Sequence, residues 1–282
     1  MTSYSIQILE SPEEMRAVEN IQLEIWPGSE IDIVPAHMLL ALAHNGGMVI
    51  GAFDPTADPD HPPLIGFVFG FPGIAETDQG YNWKFCSHQM GVLPAYHNRG
   101  LGFSLKRAQW QMARQSGYGL ITWTYDPLLS HNAYLNIAKL GVVSNLYIRE
   151  YYGEMRDGLN VGFPSDRLQA AWWVKTSRVE RRMSGKQLAP LNLSHYEPSG
   201  AEIISLGSEL SKNPPRLVLL EIPSDFQALK STNPDLAIQW RLHARTALEA
   251  LFEKDYLITD FFVHPGKPQR SFYVLSYGQS TI

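Results

Sequence analysis

A turn between residues 92 and 102 carries the residues with the clearest chemical meaning in this sequence. Pro94 ends a short β-compatible run by removing a backbone donor. Gly100 and Gly102 then let the main chain approach a ligand closely, because neither has a Cβ. A helical pattern follows, so the amides of its first turn and the positive end of its dipole lie beside Arg99. This combination predicts a binding site for a pyrophosphate.

Two better-known glycine motifs do not fit this turn. No Gly-Lys-Ser or Gly-Lys-Thr follows it, which excludes a nucleoside-triphosphate P-loop. The dinucleotide fingerprint needs a third glycine at position 105, where Leu105 stands, and it normally opens the first βαβ unit of its domain. Neither motif therefore explains the turn.

The elements that must position the turn follow from apolar periodicity and from helix-start signals. Ser11 and Pro12 mark the cap and first turn of a helix, and Ser130 and Gly141 mark the start and end of another. The predicted strands and helices in unbroken order are strand 4–9, helix 12–25, helix 35–43, strands 48–53, 64–71 and 84–92, helix 101–116, strand 120–125 and helix 130–140.

The turn and this order of elements resemble the GNAT superfamily of N-acetyltransferases, whose pyrophosphate loop reads Val-x-Pro-x-x-(Gln/Arg)-x-x-Gly-x-(Gly/Ala). Val92, Pro94, Gly100 and Gly102 are in register, and His97 stands at the Gln/Arg position. The resemblance implies an α+β (α/β mixed) fold with a central mixed twisted sheet flanked by helices. It also implies that acetyl-CoA, or another acyl-CoA such as succinyl-CoA, is bound by Gly91, Val92, Leu93, His97, Asn98, Arg99, Gly100, Leu101 and Gly102.

The second helix after the turn departs from the superfamily pattern, which commonly reads Asn-x-x-Ala-x-x-Leu-Tyr-x-Lys-x-Gly-Phe. Counting back from Gly141 places Ile137 at the tyrosine, the general acid that in many relatives protonates the departing CoA thiolate. Ile137 has no proton to give, and Tyr134 lies on the same helix as a candidate catalytic residue or contact to the pantetheine arm. Asn132 and Asn136 are four residues apart and share a helix face, where they either bind the pantetheine arm or form polar surface.

The acceptor ammonium must lose a proton, and His88 is the candidate base. It lies four residues before Val92, and the unperturbed histidine pKa of about 6.5 suits proton removal at neutral pH. Tyr134, Asp126 or an ordered water chain are the alternatives, and a structural strand histidine is the other interpretation. Cys86 is interpreted as a core residue rather than an acylated nucleophile.

Contacts to the acceptor are predicted from residue type and position. Trp123 is a candidate for an aromatic acceptor pocket, with a core position as the alternative, and Asp126 is a further candidate contact. Arg149 or Lys139 is the candidate partner for the acceptor's carboxylate, with a solvated surface charge as the alternative for Arg149. The stretch Asp126-Pro127-Leu128 and the downstream residues 222–226 resemble a subgroup of predicted acetyltransferases of roughly this length. Some of its members are associated with N-succinylation of amino acids. The resemblance therefore implies acyl transfer to the amine of a small molecule, an amino acid.

Two other functions stay open at this point. The missing helix tyrosine motivates a non-catalytic acyl-CoA sensor or regulatory module. A structural tandem fold that binds a protein partner is the third hypothesis. CoA binding without turnover distinguishes the sensor from the enzyme, and a lack of CoA affinity distinguishes the structural protein from both.

The chain is divided into an acyltransferase domain, 1–176, and a C-terminal α/β module, 177–282. Tyr118–Thr122 and Tyr256–Thr259 are alike and each follows a helix, so the module is interpreted as a smaller degenerate GNAT-like β-α-β half-copy. Coincidental β-α-β order is the alternative. No Gly-x-Gly lies between Pro223 and the module's long helix, which indicates that the module binds no CoA.

Composition favours a cytoplasmic enzyme and disfavours a nucleic-acid-binding, disulfide-bonded or membrane-spanning protein. The 282 residues are 44% hydrophobic, with a formal net charge of −5 and one cysteine. The negative charge disfavours nucleic acid, one cysteine allows no internal disulfide, and no apolar span of membrane length appears. No motif indicates a metal, and a homodimer is an allowed assembly. The basic residues Lys175, Arg178, Arg181, Arg182 and Lys186 are predicted to form a solvated linker rather than a second phosphate site.

Overall fold

The computed structural model describes residues 4–27, 32–58, 60–61, 63–77, 80–153, 162–185, 189 and 191–278. Within these residues the chain forms two compact units: unit 1, residues 4–123, and unit 2, residues 124–153 and 162–278. Both units combine helices with strands, so the predicted mixed α+β class is confirmed. The domain boundary at residue 176 and the origin of the C-terminal module stay predictions.

Unit 1 follows the predicted order of elements. They are β1 (Ser5–Ile8), α1 (Pro12–Ile25), α2 (Ala36–His44), β2 (Met48–Phe53), β3 (Leu64–Thr77), β4 (Gly80–Val92), α3 (Leu101–Gln115) and the first part of β5 (Leu120–Tyr125). The strands lie in the order β1-β2-β3-β4-β5. Neighbours are antiparallel up to β4, which pairs with β5 in parallel, so the sheet is mixed.

Helix α1 begins where the sequence predicts it. The Ser11 hydroxyl accepts from the Glu14 amide at 3.3 Å, and the Glu14 carboxylate accepts from the Ser11 amide at 2.9 Å, which completes a capping box. The apolar face of α1 packs with α2 against the side chains of Phe67 and Phe69 on β3. The stretch Trp26-Pro27-Gly28 is typical of a helix end, and its Gly28 lies outside the described residues.

Helix α3 covers the other face of this sheet. Leu101 and Leu105 pack in one cluster with Ile50 and Val68, and Met90 of β4 lies against the same cluster. The helix that begins at the candidate phosphate turn is therefore anchored to the sheet by its first two turns.

Strands β3 and β4 extend beyond their predicted limits. Their antiparallel pairing continues to Thr77 opposite Gly80, although this part of the hairpin exposes Ile74 and Trp83 to solvent. Main-chain hydrogen bonds between two strands keep them regular even where their side chains are exposed. Such a segment lacks the alternation of apolar and polar residues from which a strand is predicted.

Unit 2 contains the remaining elements. They are α4 (Ser130–Ala133), which continues as a π-helical segment (Tyr134–Lys139), β6 (Tyr147–Ile148), β7 (Arg167–Trp173), α5 (Ser177–Met183), β8 (Glu202–Ile204), β9 (Leu217–Ile222), α6 (Phe226–Thr232), α7 (Pro234–Phe252), β10 (Tyr256–His264) and β11 (Arg270–Tyr277). Strands β6 and β7 are antiparallel. The other four form a sheet in the order β10-β11-β9-β8, in which only β8 and β9 run parallel.

Arg178, Arg181 and Arg182 of the basic run predicted as a solvated linker lie in helix α5. Arg178 and Arg182 bind main chain and carboxylate, whereas Lys175 before the helix and Arg181 are exposed. Arg178 donates to the Gly141 carbonyl at 3.0 Å, and Arg182 bonds to the Asp260 carboxylate at 2.9 Å. The prediction was wrong for these residues because the partners lie far away in sequence, where no local pattern indicates them. Lys186 lies outside the described residues.

Candidate functional site

Strand β4 is paired with β3 along its whole length but with β5 along only a short stretch. The pairs with β5 are Phe85 opposite Ile121 and Cys86 opposite Thr122. From Ser87 to Val92, the described residues place no strand on that side of β4. We call this open edge, from Ser87 to Val92, the fork. An open strand edge offers N–H and C=O groups to any ligand that carries amides.

A β-bulge lies at the closed end of the fork. Phe69 is opposite Gln89 and Gly70 is opposite Ser87, so His88 is the extra residue on β4. The bulge directs neighbouring side chains to different surroundings. The Ser87 hydroxyl contacts helix α3, whereas the ring of His88 lies 5.5 Å from that of Phe69.

His88 combines solvent exposure with aromatic neighbours on one side. Its ring also lies 6.0 Å from that of Phe71, and the residue is exposed to solvent. Desolvation by these neighbours lowers the pKa of His88 below its ordinary value. The imidazole is therefore neutral at pH 7, which is the form that accepts a proton.

The direction of the β4 amides corrects one detail of the sequence analysis. The Leu93 amide donates to the Ile65 carbonyl at 3.0 Å, so it belongs to the β3 side. Successive amides of a strand point to opposite edges, which turns the N–H groups of Val92 and Met90 toward the fork. Of residues 91–93, which are predicted to bind the acyl-CoA, Val92 is the one whose amide faces the fork.

Gly91 is a glycine for a packing reason. A Cβ at this position would lie 2.6 Å from Ile25 Cδ1 and 3.0 Å from Phe67 Cε1. Helix α1 therefore crosses β4 closely at this point, and the residue holds the strand against the helix whether or not a ligand is bound.

The turn after β4 leaves backbone donors without partners in the helix. Gly100 occupies the N-cap position of α3 with φ +80°, and a Cβ there would meet nothing within 4 Å. The first hydrogen bond of helix α3 is donated by the Ser104 amide to the Gly100 carbonyl, at 3.1 Å. The N–H groups of Leu101 and Gly102 therefore have no acceptor inside the helix, as the predicted anion site requires.

Side chains of the turn hold its shape. The Tyr96 hydroxyl donates to Asp54 at 2.8 Å, and the Arg99 guanidinium lies 5.1 Å from the centroid of the Tyr96 ring. His97, at the Gln/Arg position of the loop pattern, bonds through Nε2 to the Val92 carbonyl at 2.9 Å. Asn98 beside it adopts a positive φ of 60°. His97 thus fastens the turn to the end of β4, and the main chain stays open to solvent.

The sequence analysis missed Lys106, a buried lysine on α3. Only 3% of its surface is exposed, and its Nζ donates to Ser87 Oγ at 2.7 Å and to Gln109 Oε1 at 3.1 Å. The same Nζ lies 3.8 Å from the ring centroid of Trp123, a predicted acceptor contact. Burial lowers the pKa of Lys106 to about 7. Lys106 lies next to the buried helix positions Leu105, Gln109 and Ala113, and no pattern in the sequence distinguishes it from a surface lysine.

Cys86 precedes this group on β4. Burial raises the pKa of its thiol, and the charges of Lys84 and Lys106 act in the opposite direction without reversing the shift. The thiol is therefore protonated at neutral pH. This is the state of a packed cysteine rather than of a nucleophile.

In unit 2 the predicted helix over residues 130–140 is interrupted. Ser130 is the first helical residue rather than the cap, and its hydroxyl bonds to Ser271 at 2.9 Å. From Tyr134 the helix is π-helical, and the Leu140 amide donates to the Leu135 carbonyl. The π-helical turn is wider than an α-helical one, a common feature of functional sites that sequence spacing does not show.

This change affects the candidate residues of that helix. The predicted common face of Asn132 and Asn136 assumed α-helical spacing, which ends at Ala133. Asn136 is buried and Asn132 half-buried. Tyr134 is 41% exposed, and its ring lies 5.4 Å from Lys139 Nζ.

The two charged candidates for acceptor binding have partners inside unit 2. Asp126 is buried, accepts from Arg241 Nη2 at 2.6 Å and accepts from the Leu128 amide at 2.9 Å. Arg149 forms two hydrogen bonds to Glu249, both of 2.6 Å. These ion pairs join residues about one hundred positions apart, so each side chain already has a structural task.

Two features are absent from the part of the chain that the structure describes. No helix there is both long and apolar enough to cross a membrane. No group of three or more histidine, cysteine, aspartate or glutamate residues in that part of the chain is placed to hold a metal ion.

No family model matches the sequence, and no curated protein matches it. Among solved structures, Arabidopsis thaliana NAA60 in complex with acetyl-CoA is 14% identical, with 61% of this chain and 99% of that chain covered at a TM-score of 0.48. A putative acetyltransferase of the GNAT family from Desulfovibrio desulfuricans is 14% identical, with coverage of 61% and 99% and a TM-score of 0.44. The ribosomal-protein-S18-alanine N-acetyltransferase from Escherichia coli is 13% identical, with coverage of 66% and 99% and a TM-score of 0.46.

Proposed function

We propose that this chain is a CoA-dependent N-acyltransferase whose donor site is the fork together with the turn after it. The observation that carries the proposal is local to unit 1. Strand β4 separates from β5 after Cys86 and then ends in a turn with open amides at the start of α3. One continuous surface thus offers strand-edge amides followed by an anion site.

The length of the fork matches the length of the pantetheine arm of CoA. From Ser87 to Val92 the strand advances five residues of about 3.3 Å each, or about 16 Å. The pantetheine arm carries two amides and is roughly as long as four to five residues of extended chain. With the pyrophosphate at Gly100 to Gly102, the thioester reaches the bulge, where His88 lies.

Each step of the proposed reaction is assigned to residues of unit 1. Neutral His88 takes the proton of the acceptor ammonium. The amide of Val92 binds the arm, and the amide of Met90, which is nearer the bulge, polarises the thioester carbonyl. Arg99 and the first amides of α3 bind the phosphates.

The identity of the acyl group and that of its acceptor are inferred from the sequence resemblance. We assign acetyl-CoA or succinyl-CoA as the donor and the amine of a small molecule, an amino acid, as the acceptor. Tyr134, Asn132 and Asn136 stay proposed contacts to the donor, and Trp123, Asp126 and Arg149 to the acceptor.

A non-catalytic acyl-CoA sensor is the second candidate. Ile137, at the position of the usual acid, is fully buried at 0% exposure and carries no proton that an acid could donate. A chain that holds acyl-CoA but lacks a proton donor for the thiolate would keep the thioester intact.

The first experiment measures CoA binding by calorimetry for Gly102→Asp and its matched control Gly102→Ala. Gly102 lies in the first turn of α3 without a positive φ, so both side chains are compatible with the helix. An aspartate there favours the helix dipole but repels phosphate. We expect about 100-fold weaker binding for Gly102→Asp and a change below fivefold for Gly102→Ala. Equal affinity in both variants contradicts the donor site.

The second experiment measures thiol release from acetyl-CoA and succinyl-CoA with a panel of D- and L-amino acids. Turnover with one donor and one acceptor class supports the enzyme. Tight CoA binding with no thiol release across both donors and the whole panel favours the sensor instead.

A further inference from the structure

We propose that Ser87, supplied with a proton by Lys106 behind it, protonates the thiolate that leaves in acyl transfer. The inference rests on the proposed function and adds the proton donor that the helix lacks at Ile137. Ser87 is the group that touches the sulfur, and Lys106 acts through it.

The two residues lie at the closed end of the fork. Ser87 is the first residue of β4 beyond the last pair with β5, and Trp123 is the corresponding residue of β5. The Nζ of Lys106 bonds to the Ser87 hydroxyl and lies over the Trp123 ring. A thioester that enters along the open edge of β4 therefore ends beside this hydroxyl.

The hydrogen bonds have the direction that proton donation requires. As an ammonium, Lys106 Nζ has only protons to give, so Ser87 Oγ is the acceptor in their 2.7 Å bond in that state. The hydroxyl proton of Ser87 must then point elsewhere, and within the described residues no acceptor for it is recorded. It is free to donate to a ligand atom in the fork.

A second buried group at the same place also lacks a partner. Gln109 is fully buried, its Oε1 accepts from Lys106, and its Nε2 has no hydrogen-bond partner among the described residues. Buried amide donors are rarely left unpaired in a folded protein. An acceptor supplied by a ligand next to Lys106 would account for this.

Lys106 is suited to give up a proton at neutral pH. Because burial lowers its pKa to about 7, the ammonium and the amine are both populated under physiological conditions. An alkyl thiol has a pKa of about 8.5, so transfer from this ammonium to the thiolate is downhill. His88, on the other side of the bulge, has the environment of a base.

The reaction balances with these two residues. The acceptor amine forms the C–N bond, the C–S bond breaks, and the electron pair remains on sulfur. Sulfur takes the proton of Ser87 Oγ, and Oγ takes one from Lys106 Nζ. Lys106 is left as a neutral amine and is reprotonated by solvent, which carries the proton that the acceptor nitrogen releases. The products are an amide and free CoA thiol.

The test titrates the thiol of bound CoA by its thiolate absorbance, which requires no acceptor. The variants are Ser87→Ala and Lys106→Met, and Lys84→Met is the matched control that removes a positive charge from β4 outside the fork. In the wild type the Ser87 hydroxyl donates a hydrogen bond to the thiolate, so the bound thiol has a lowered pKa. We expect this pKa to rise by at least one unit in Ser87→Ala and to stay unchanged in Lys84→Met.

Kinetics with an accepted amine provide the second readout. Both fork variants should lose at least 100-fold in kcat and keep CoA affinity within about threefold. The fall of kcat as pH rises through 7, caused by loss of the Lys106 ammonium, should disappear in Lys106→Met. CoA that binds both fork variants with unchanged thiol pKa and unchanged kcat overturns the inference alone. Wild-type protein that binds no CoA overturns the proposed function, and this inference with it.

Discussion

The buried charge of Lys106 makes a prediction about stability that needs no substrate. Lys106→Met replaces the ammonium by an apolar side chain of similar length in a site that is 3% exposed. The pKa of the wild-type amine falls from 10.5 unfolded to about 7 folded. At about 1.4 kcal/mol per unit, holding the charged form inside the protein costs about 5 kcal/mol.

The sign of the pH dependence follows from linkage. The folded pKa lies below the unfolded one, so between about pH 7 and 10.5 the unfolded chain binds more protons than the folded protein. Stability therefore rises with pH across this window, and the full cost is present below it. At pH 9.5 about 1.4 kcal/mol of the cost of burying the amine remains, because this pH is still one unit below the pKa of the amine in the unfolded chain.

The stability advantage of Lys106→Met over wild type should therefore shrink by about 3 kcal/mol between pH 6.5 and pH 9.5. Lost hydrogen bonds to Ser87 and Gln109 affect both pH values equally and cancel in this difference. Urea unfolding followed by tryptophan fluorescence measures it, with Lys84→Met as the control that should change by less than about 0.5 kcal/mol. An advantage that is the same at both pH values, within about 0.5 kcal/mol, would refute the lowered pKa and the role built on it.

Three further predictions concern packing and caps, each measured by urea unfolding. Asp126→Ala leaves the Arg241 guanidinium buried without its carboxylate and should cost about 3–5 kcal/mol, whereas a double variant Asp126→Leu with Arg241→Met should recover most of it. Gly91→Ala should cost about 1–3 kcal/mol through contact with Ile25 Cδ1, and Ile25→Val, which lacks that atom, should relieve it; no relief contradicts the contact. Ser11→Ala should cost about 1 kcal/mol by removing the capping box, and a loss below about 0.3 kcal/mol would contradict that role.

Most elements of unit 1 were predictable because their signals are local. Ser11 and Pro12 start α1 through contacts within one turn, and β2 and β5 have the predicted limits. The turn at Gly100 was predictable for the same reason, since a positive φ and a helix start leave their mark within a few residues.

The functional detail was less predictable because it depends on pairing and packing. No residue type marks His88 as a bulge, since a bulge exists only in the register of two strands. The π-helical segment after Ala133 and the arginines of α5 depend likewise on distant partners. Lys106 has the sequence pattern of a surface lysine next to an apolar stripe, and only packing against β4 buries it.

The sequence by itself determined the order of elements in unit 1, the starts of α1 and α3 and the turn at Gly100, because these depend on backbone conformation over a few residues. Only the tertiary structure decided where β4 leaves β5, which amides face the opening, and which charges are buried together. Those outcomes depend on contacts between residues that are far apart along the chain, such as Ser87 with Lys106 and Asp126 with Arg241. Burial changes proton affinity only after these contacts have formed.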